Sequence, residues 1–154
     1  MLNKRRGDLI ALGQANEFDI IVQGCNCFCV MGGGLAPKIA QAFPDAKLAD
    51  DETVRGDPGK LGTYTVGMSG RLVILNAYTQ FNMSRDGEDV FEYRAFQRVL
   101  DKISYRFGRW RIGLPYIGMG LAGGDAARIM PMIEAFARSV AQQGGSVTLV
   151  EWAG

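Results

Sequence analysis

Two glycine-rich stretches, each lying between a short apolar run and a helix-like pattern, constrain this chain more than any other feature. Residues 18–43, FDIIVQGCNCFCVMGGGLAPKIAQAF, pass from a β-branched segment through a polar turn and Gly32, Gly33 and Gly34 into an amphipathic stretch. The run ending at Val22 is short and apolar, as a strand covered on both faces should be. Leu35, Ile39 and Phe43 fall on one helical face. The second stretch, IGMGLAGGD from Ile117 to Asp125, lies between strand-like RIGLP and another helical pattern. Backbone free of side chains, placed before a helix, lets several N–H groups converge on an anion. Two such loops suit a ligand with two adjacent phosphates.

At 154 residues the chain is expected to form a single domain, 1–154, with its own core. A formal charge of +1 gives no footprint for nucleic acid, and the KRR at 4–6 is too short to change that. No apolar run is long enough for a bilayer and no signal-peptide core opens the sequence, so a cytoplasmic location and no membrane contact are expected. The absence of histidine excludes Ser–His and Cys–His hydrolases and every His-ligated metal site. All the cysteines lie in Cys25-x-Cys27-x-Cys29, which fits a reducing compartment. Their thiolates could in principle hold zinc or copper, but no fourth Cys or His is available. Buried packing is the preferred reading, with no metal and no cofactor expected.

In chain order, a first strand is expected within Lys4–Leu12, with Gly7-Asp8 turning just before LIAL. Strand 18–23 and helix 35–43 follow, and Pro44-Asp45 ends that helix. Residues 45–60 read as a short helix and a surface loop. Gly62–Gly67 and Arg71–Tyr78 read as a hairpin joined through MSG. A polar stretch over 81–89 leads to a long helix from Val90 to Phe107, with Phe96, Val99, Leu100, Ile103 and Phe107 as its buried stripe. Strand Arg111–Pro115, the second glycine loop and a helix bearing Ile129, Met132, Ile133, Phe136 and Val140 come next. Pro131 predicts a kink in that helix or a later start. Gly144-Gly145 ends it, and VTLVEW closes the chain as a strand. Strands alternating with helices predict an α/β fold with one antiparallel hairpin in a mostly parallel sheet.

Taken together, Gly7-Asp8-Leu9, DIIVQGCN, the MGGGLA loop and the IGMGLAGGD loop resemble the macro domain family, whose members bind ADP-ribose and its derivatives. The likeness covers nearly the whole chain and is nearest to small stand-alone and deacylase-like members. It implies a three-layer α/β/α fold with a mixed, mostly parallel central sheet and ligand at the carboxyl ends of the strands. Asp19, followed by Ile20, matches the acidic residue that accepts from the adenine amino group; a loop-end aspartate is the plainer reading. Gly32, Gly33, Gly34 and Leu35 match the loop beside the diphosphate and distal ribose, and Gly24 and Met31 are further ligand-binding candidates. Ile117, Gly118, Met119, Gly120, Leu121, Ala122, Gly123 and Gly124 match the second phosphate loop. Tyr78 and Trp152 are the aromatics that could stack on adenine or cover the ribose.

Catalytic roles are implied for Asn26 and Asp125. Asn26 matches an asparagine that touches the distal ribose, though an asparagine after a strand also satisfies turns. Asp125 could serve as general base or nucleophile, or as a helix N-cap. Gln23 departs from the family's usual asparagine. Ala77 stands where the deacylase-like branch carries an adduct-forming lysine, which argues against a covalent lysine mechanism. The resemblance therefore implies a monomer that binds ADP-ribose or ADP-ribose 1''-phosphate, or ADP-ribosylated protein. It hydrolyses the distal-ribose substituent as phosphatase or ADP-ribosyl hydrolase, or serves as a non-catalytic reader. A Rossmann-like dinucleotide domain is a weaker third reading, because no second βαβ half follows GMGLAGG.

Overall fold

The apolar runs become the strands of one six-stranded sheet ordered β1-β6-β5-β2-β4-β3. In sequence the elements are β1 (Leu2–Gly7), α1 (Leu9–Gln14), β2 (Ile20–Cys25), α2 (Ala36–Ala42), α3 (Pro44–Asp51), β3 (Tyr64–Ser69), β4 (Leu72–Tyr78), α4 (Tyr93–Phe107), β5 (Arg111–Leu114), α5 (Ala126–Gln142) and β6 (Ser146–Trp152). A single 3-10 turn, Pro58–Lys60, lies between α3 and β3. The computed structural model describes residues 1–83, 89–120 and 122–152; residues 84–88 of the polar stretch lie outside them. All strand pairs are parallel except β3 with β4, which form the hairpin the sequence predicts. Gly70, at φ +58, opens its two-residue turn.

Alternation along β2 builds the layers. Ile20 and Val22 pack with Leu75, Ala77 and the buried faces of α4 and α5. Ile21 points the other way, with Ile74, Leu9, Ile39 and Phe43, under α1, α2 and α3. In α4, Phe96, Val99, Leu100 and Ile103 are buried at helical spacing. Each is worth about 1.5–3 kcal/mol against leaving it in water. Phe107 ends the stripe only partly buried.

Three sequence expectations change. LIAL is the helix α1 rather than a strand, because the Asp8 carboxylate caps it, accepting from the backbone N–H of Ile10 at 2.9 Å and Ala11 at 3.3 Å. Such a cap is worth about 1 kcal/mol. Pro44 ends α2 but also begins α3, where its fixed φ suits a first helical position. The long helix starts at Tyr93 rather than Val90. Among the described residues no helix is long and apolar enough to cross a membrane.

Candidate functional site

The carboxyl ends of β2, β4 and β5 open into a cleft of about 510 Å³. Its floor is Gln23, Gly24 and Cys25 of β2, with Thr79 and Gln80 just beyond β4. One wall is Asn26 and residues 30–36, and the other is Pro115, Tyr116, Ile117, Gly118, Gly120 and Ala122. A second recess, about 390 Å³, is lined by Gly7, Leu9, Gly34, Leu35, Lys38, Pro115, Tyr116, Val150 and Trp152. Gly34, Leu35, Pro115 and Tyr116 line both, so the two spaces adjoin.

Backbone donors dominate the cleft. The N–H groups of Met31, Gly32, Gly33, Gly34 and Leu35 on one wall, and of Gly118, Gly120 and Ala122 on the other, donate to no protein acceptor among the described residues. Asn26 shapes the first wall by donating from Nδ2 to the Val30 carbonyl at 2.8 Å and accepting the Phe28 N–H at 2.9 Å. Gly123 and Gly124 fold the second loop back on itself, donating to the Gly120 and Gly118 carbonyls at 3.0 and 2.7 Å. Neither they nor Met119, which packs against the core, line the cleft. Leu121 lies outside the described residues. Gly24 is needed for close approach: a Cβ there would sit 2.9 Å from both Ile117 Cγ2 and Thr79 Oγ1.

Among the described residues the cleft lining holds no carboxylate, lysine or arginine; Cys25 and Tyr116 are its titratable groups. Burial pushes the Cys25 thiol well above its ordinary range, so it stays protonated and is no nucleophile at neutral pH. Cys27, also raised by burial, to about 11, packs with Cys25, Met31 and Tyr78 in a small apolar cluster.

The structure does not bring several sequence-predicted residues to the cleft. Asp19 precedes β2 and so lies at the opposite end of that strand. Its carboxylate takes the Arg111 side chain through Nη2 at 2.9 Å and Nε at 3.0 Å, which holds its pKa below the usual carboxylate range. Ile20, next along, is interior. Tyr78 is fully buried, because its position in β4 turns the ring inward, where its hydroxyl donates to Asp50 Oδ1 at 2.7 Å. Asp125 is the N-cap of α5, its Oδ1 accepting from the Ala127 N–H at 2.9 Å, and it is not part of the lining. Ala77 is also interior, whereas Thr79, two residues on, lines the cleft.

The other predicted residues gather as expected: Gly24, Asn26, Met31, Gly32 to Leu35, Ile117, Gly118, Gly120 and Ala122 in the cleft, and Trp152 in the recess. Trp152 is 46% exposed and carries the Lys38 ammonium 4.0 Å from its ring centroid. Leu9 and Gln23 lie within motifs but were assigned no site role, and Thr79 and the recess residues Lys38, Tyr116 and Val150 belong to no motif. Their signal is position, since they follow strands or lie on the elements that flank them.

No family model matches the sequence. It is 31% identical over 157 residues, 96% of this chain and 94% of the other, to the uncharacterized 17.5 kDa protein of the tk-vs intergenic region of Enterobacteria phage T4. Among solved structures it resembles the macrodomain of Thermus aquaticus DarG, with TM-score 0.67, 20% identity, and 98% and 97% of the two chains covered. It also resembles the Trypanosoma brucei macrodomain solved in complex with ADP-ribose, with TM-score 0.69, 16% identity, and 99% of this chain and 64% of that one covered.

Proposed function

We propose, from the premise that the chain belongs to one family with the phage T4 protein and has the macrodomain fold, that it binds ADP-ribose or a derivative of it. The observation that carries this reading is the set of backbone N–H groups on both walls that donate to no protein acceptor among the described residues, in a cleft whose described lining carries no charged side chain. A diphosphate has acceptor oxygens on both sides and no hydrogens to give, so it complements two walls of donors. With α2 only seven residues long, its dipole adds little, and the loop amides bear the anion. The adjoining apolar recess suits a purine, with Trp152 and Leu9 against its faces. Asp8 replaces Asp19 as the partner for the adenine amino group. It lies between the recess residues Gly7 and Leu9, and its Oδ2 takes no donor among the described residues.

Hydrolysis of a distal-ribose substituent is the finer reading, with ADP-ribose 1''-phosphate or ADP-ribosylated protein as substrate. It would require a group that activates water. The described lining supplies the Tyr116 hydroxyl and a Cys25 thiol that burial keeps protonated, so the burden would fall on positioning and on a substrate phosphate. Binding without turnover is the reading the cleft supports better. Titration calorimetry with ADP-ribose tests it: saturable binding, with ADP competing, is expected, and absence of binding refutes it. Incubation with ADP-ribose 1''-phosphate and with ADP-ribosylated protein, followed for product, separates reader from hydrolase.

A further inference from the structure

The floor of the cleft holds buried polar atoms that no protein group among the described residues satisfies. Gln23 and Thr79 line it at 3% and 1% exposure, yet Gln23 Oε1 and Thr79 Oγ1 have no hydrogen-bond partner. Buried polar atoms in native proteins are nearly always paired, so each exception calls for an explanation.

A buried chain prevents the Gln23 amide from turning over. Its far end is Asp50, which takes the single Tyr78 hydroxyl proton at 2.7 Å. The Tyr78 oxygen therefore accepts from Thr65 Oγ1, 3.0 Å away. Thr65 Oγ1 in turn accepts from Asn76 Nδ2 at 3.0 Å, and the same amide nitrogen donates to the Ala46 carbonyl at 2.9 Å. A carbonyl can only accept, so Asn76 must present Oδ1 to Gln23, where it takes an N–H from Nε2 at 2.9 Å. The same Nε2 lies 3.8 Å from Met31 Sδ. Reversing the Gln23 amide would set oxygen against oxygen. Its Oε1 is thus held as an acceptor that lacks a donor.

Thr79 stands on the other side of Gly24. Its main chain is fixed, with its N–H donating to the Cys25 carbonyl at 3.2 Å and its carbonyl accepting the Glu92 N–H at 2.7 Å. A Cβ on Gly24 would come within 2.9 Å of Thr79 Oγ1, so the hydroxyl lies directly against β2. The register pairs Gln23 with Asn76 and Gly24 with Ala77, which puts the Gln23 and Thr79 side chains on opposite faces of the sheet, flanking Gly24.

We propose that Gln23 Oε1 and Thr79 Oγ1 form a neutral, donor-seeking floor that recognises the hydroxyl groups of the distal sugar. The assignment rests on the ADP-ribose reading. Within that ligand the diphosphate has no hydrogen to offer and the purine fills the apolar recess, so the sugar hydroxyls are the donors available. Gln23 accepts from one of them, and Thr79, which can both give and take, pairs with a neighbour. A phosphate or carboxylate set over this floor would meet the Gln23 oxygen with negative charge. The floor therefore reads a neutral polyol and disfavours an anion at that place.

Titration calorimetry of the wild type and of Thr79→Val, Thr79→Ser and Gln23→Met, each with ADP and with ADP-ribose, tests the floor. The wild type should bind ADP-ribose more tightly than ADP. Thr79→Val and Gln23→Met should each lose roughly 5- to 30-fold for ADP-ribose and less than about twofold for ADP. Thr79→Ser should keep the wild-type preference. Gln23→Met removes a link of the buried chain, so thermal melting is checked first. If it unfolds, Thr79→Val, which preserves shape, decides alone. Wild-type affinity for ADP-ribose in Thr79→Val overturns the proposal, as does an equal loss for both nucleotides. If the wild type binds neither nucleotide, the ADP-ribose reading itself falls.

Discussion

At its amino end β2 meets a charge pair, and at its carboxyl end it enters a cleft whose described lining carries no charged side chain. Asp19 and Arg111 satisfy each other in a partly exposed, bidentate contact that ties the start of β2 to β5. Five and six residues further on, Gly24 and Cys25 enter a cleft whose described lining carries no charged side chain and holds two unpaired buried oxygens, Gln23 Oε1 and Thr79 Oγ1. The first arrangement is complete without a ligand, whereas the second has unmet donors on its walls and unmet oxygens on its floor. In the cleft, unsatisfied neutral groups rather than formal charges are what distinguish this end of the strand. Asp125 belongs with Asp19 in this respect, since its carboxylate is spent on a helix cap.

The largest effect that would sharpen the contrast is expected at Gly33. A carboxylate introduced by Gly33→Glu would occupy the space between the two loops and repel a diphosphate. ADP-ribose affinity should fall by at least about 100-fold, since like charges set together cost several kcal/mol. Circular dichroism should show the fold intact, and normal binding by this variant would dissociate the glycine loop from the ligand. Asp125→Ala should do the opposite. Loss of its cap should cost about 1 kcal/mol, a fall in melting temperature of roughly 2–4 °C for a chain of this size, with ADP-ribose affinity unchanged. Weakened binding by a folded Asp125→Ala protein would break the comparison and return the residue to the site.

The smallest effect is expected at the charge pair. Asp19→Ala should cost about 0.5–1 kcal/mol, because both partners remain partly exposed, and should leave ADP-ribose binding alone. Arg111 lowers the Asp19 pKa, so this stability is present above the usual carboxylate range and is lost as pH falls through the lowered value. Melting curves of wild type and variant should therefore differ at neutral pH and converge in acid. A gap that widens toward low pH would contradict the pairing.

Much of the fold was legible because periodicity and punctuation agree. The stripe of Phe96, Val99, Leu100 and Ile103 has one helical reading, and the turn opened by Gly70 has one hairpin reading. The four-residue run LIAL has no such redundancy. A short apolar run fits strand or helix equally, and the deciding group was the Asp8 side chain just before it. The glycine loops were legible as backbone donors. Asp19 was misplaced because its acidity weighed more than its direction, although a residue preceding a parallel strand lies at the end away from the ligand crevice. Tyr78 was misplaced because a strand-end aromatic can face either layer, and only the register with β2 turns it inward. Gln23 was beyond reach for another reason. Its unpaired oxygen depends on Asn76, 53 residues away, and on the Ala46 carbonyl, so no local pattern encodes it.

The edge strand β1 has a consequence for how the molecule comes to exist. It pairs only with β6, in parallel, from Leu2↔Val147 to Gly7↔Trp152. Its first strand must therefore wait, exposed, until the chain has grown through Ser146–Trp152 before it finds a partner. Closing so long a loop is slow. Lys4, Arg5 and Arg6 along that edge discourage premature pairing with other chains during the wait. Gly7 and Trp152, the last matched pair of this ladder, also line the apolar recess. The cleft around β2 can thus take shape while synthesis continues, but the recess is completed only by the closing stitch of the sheet.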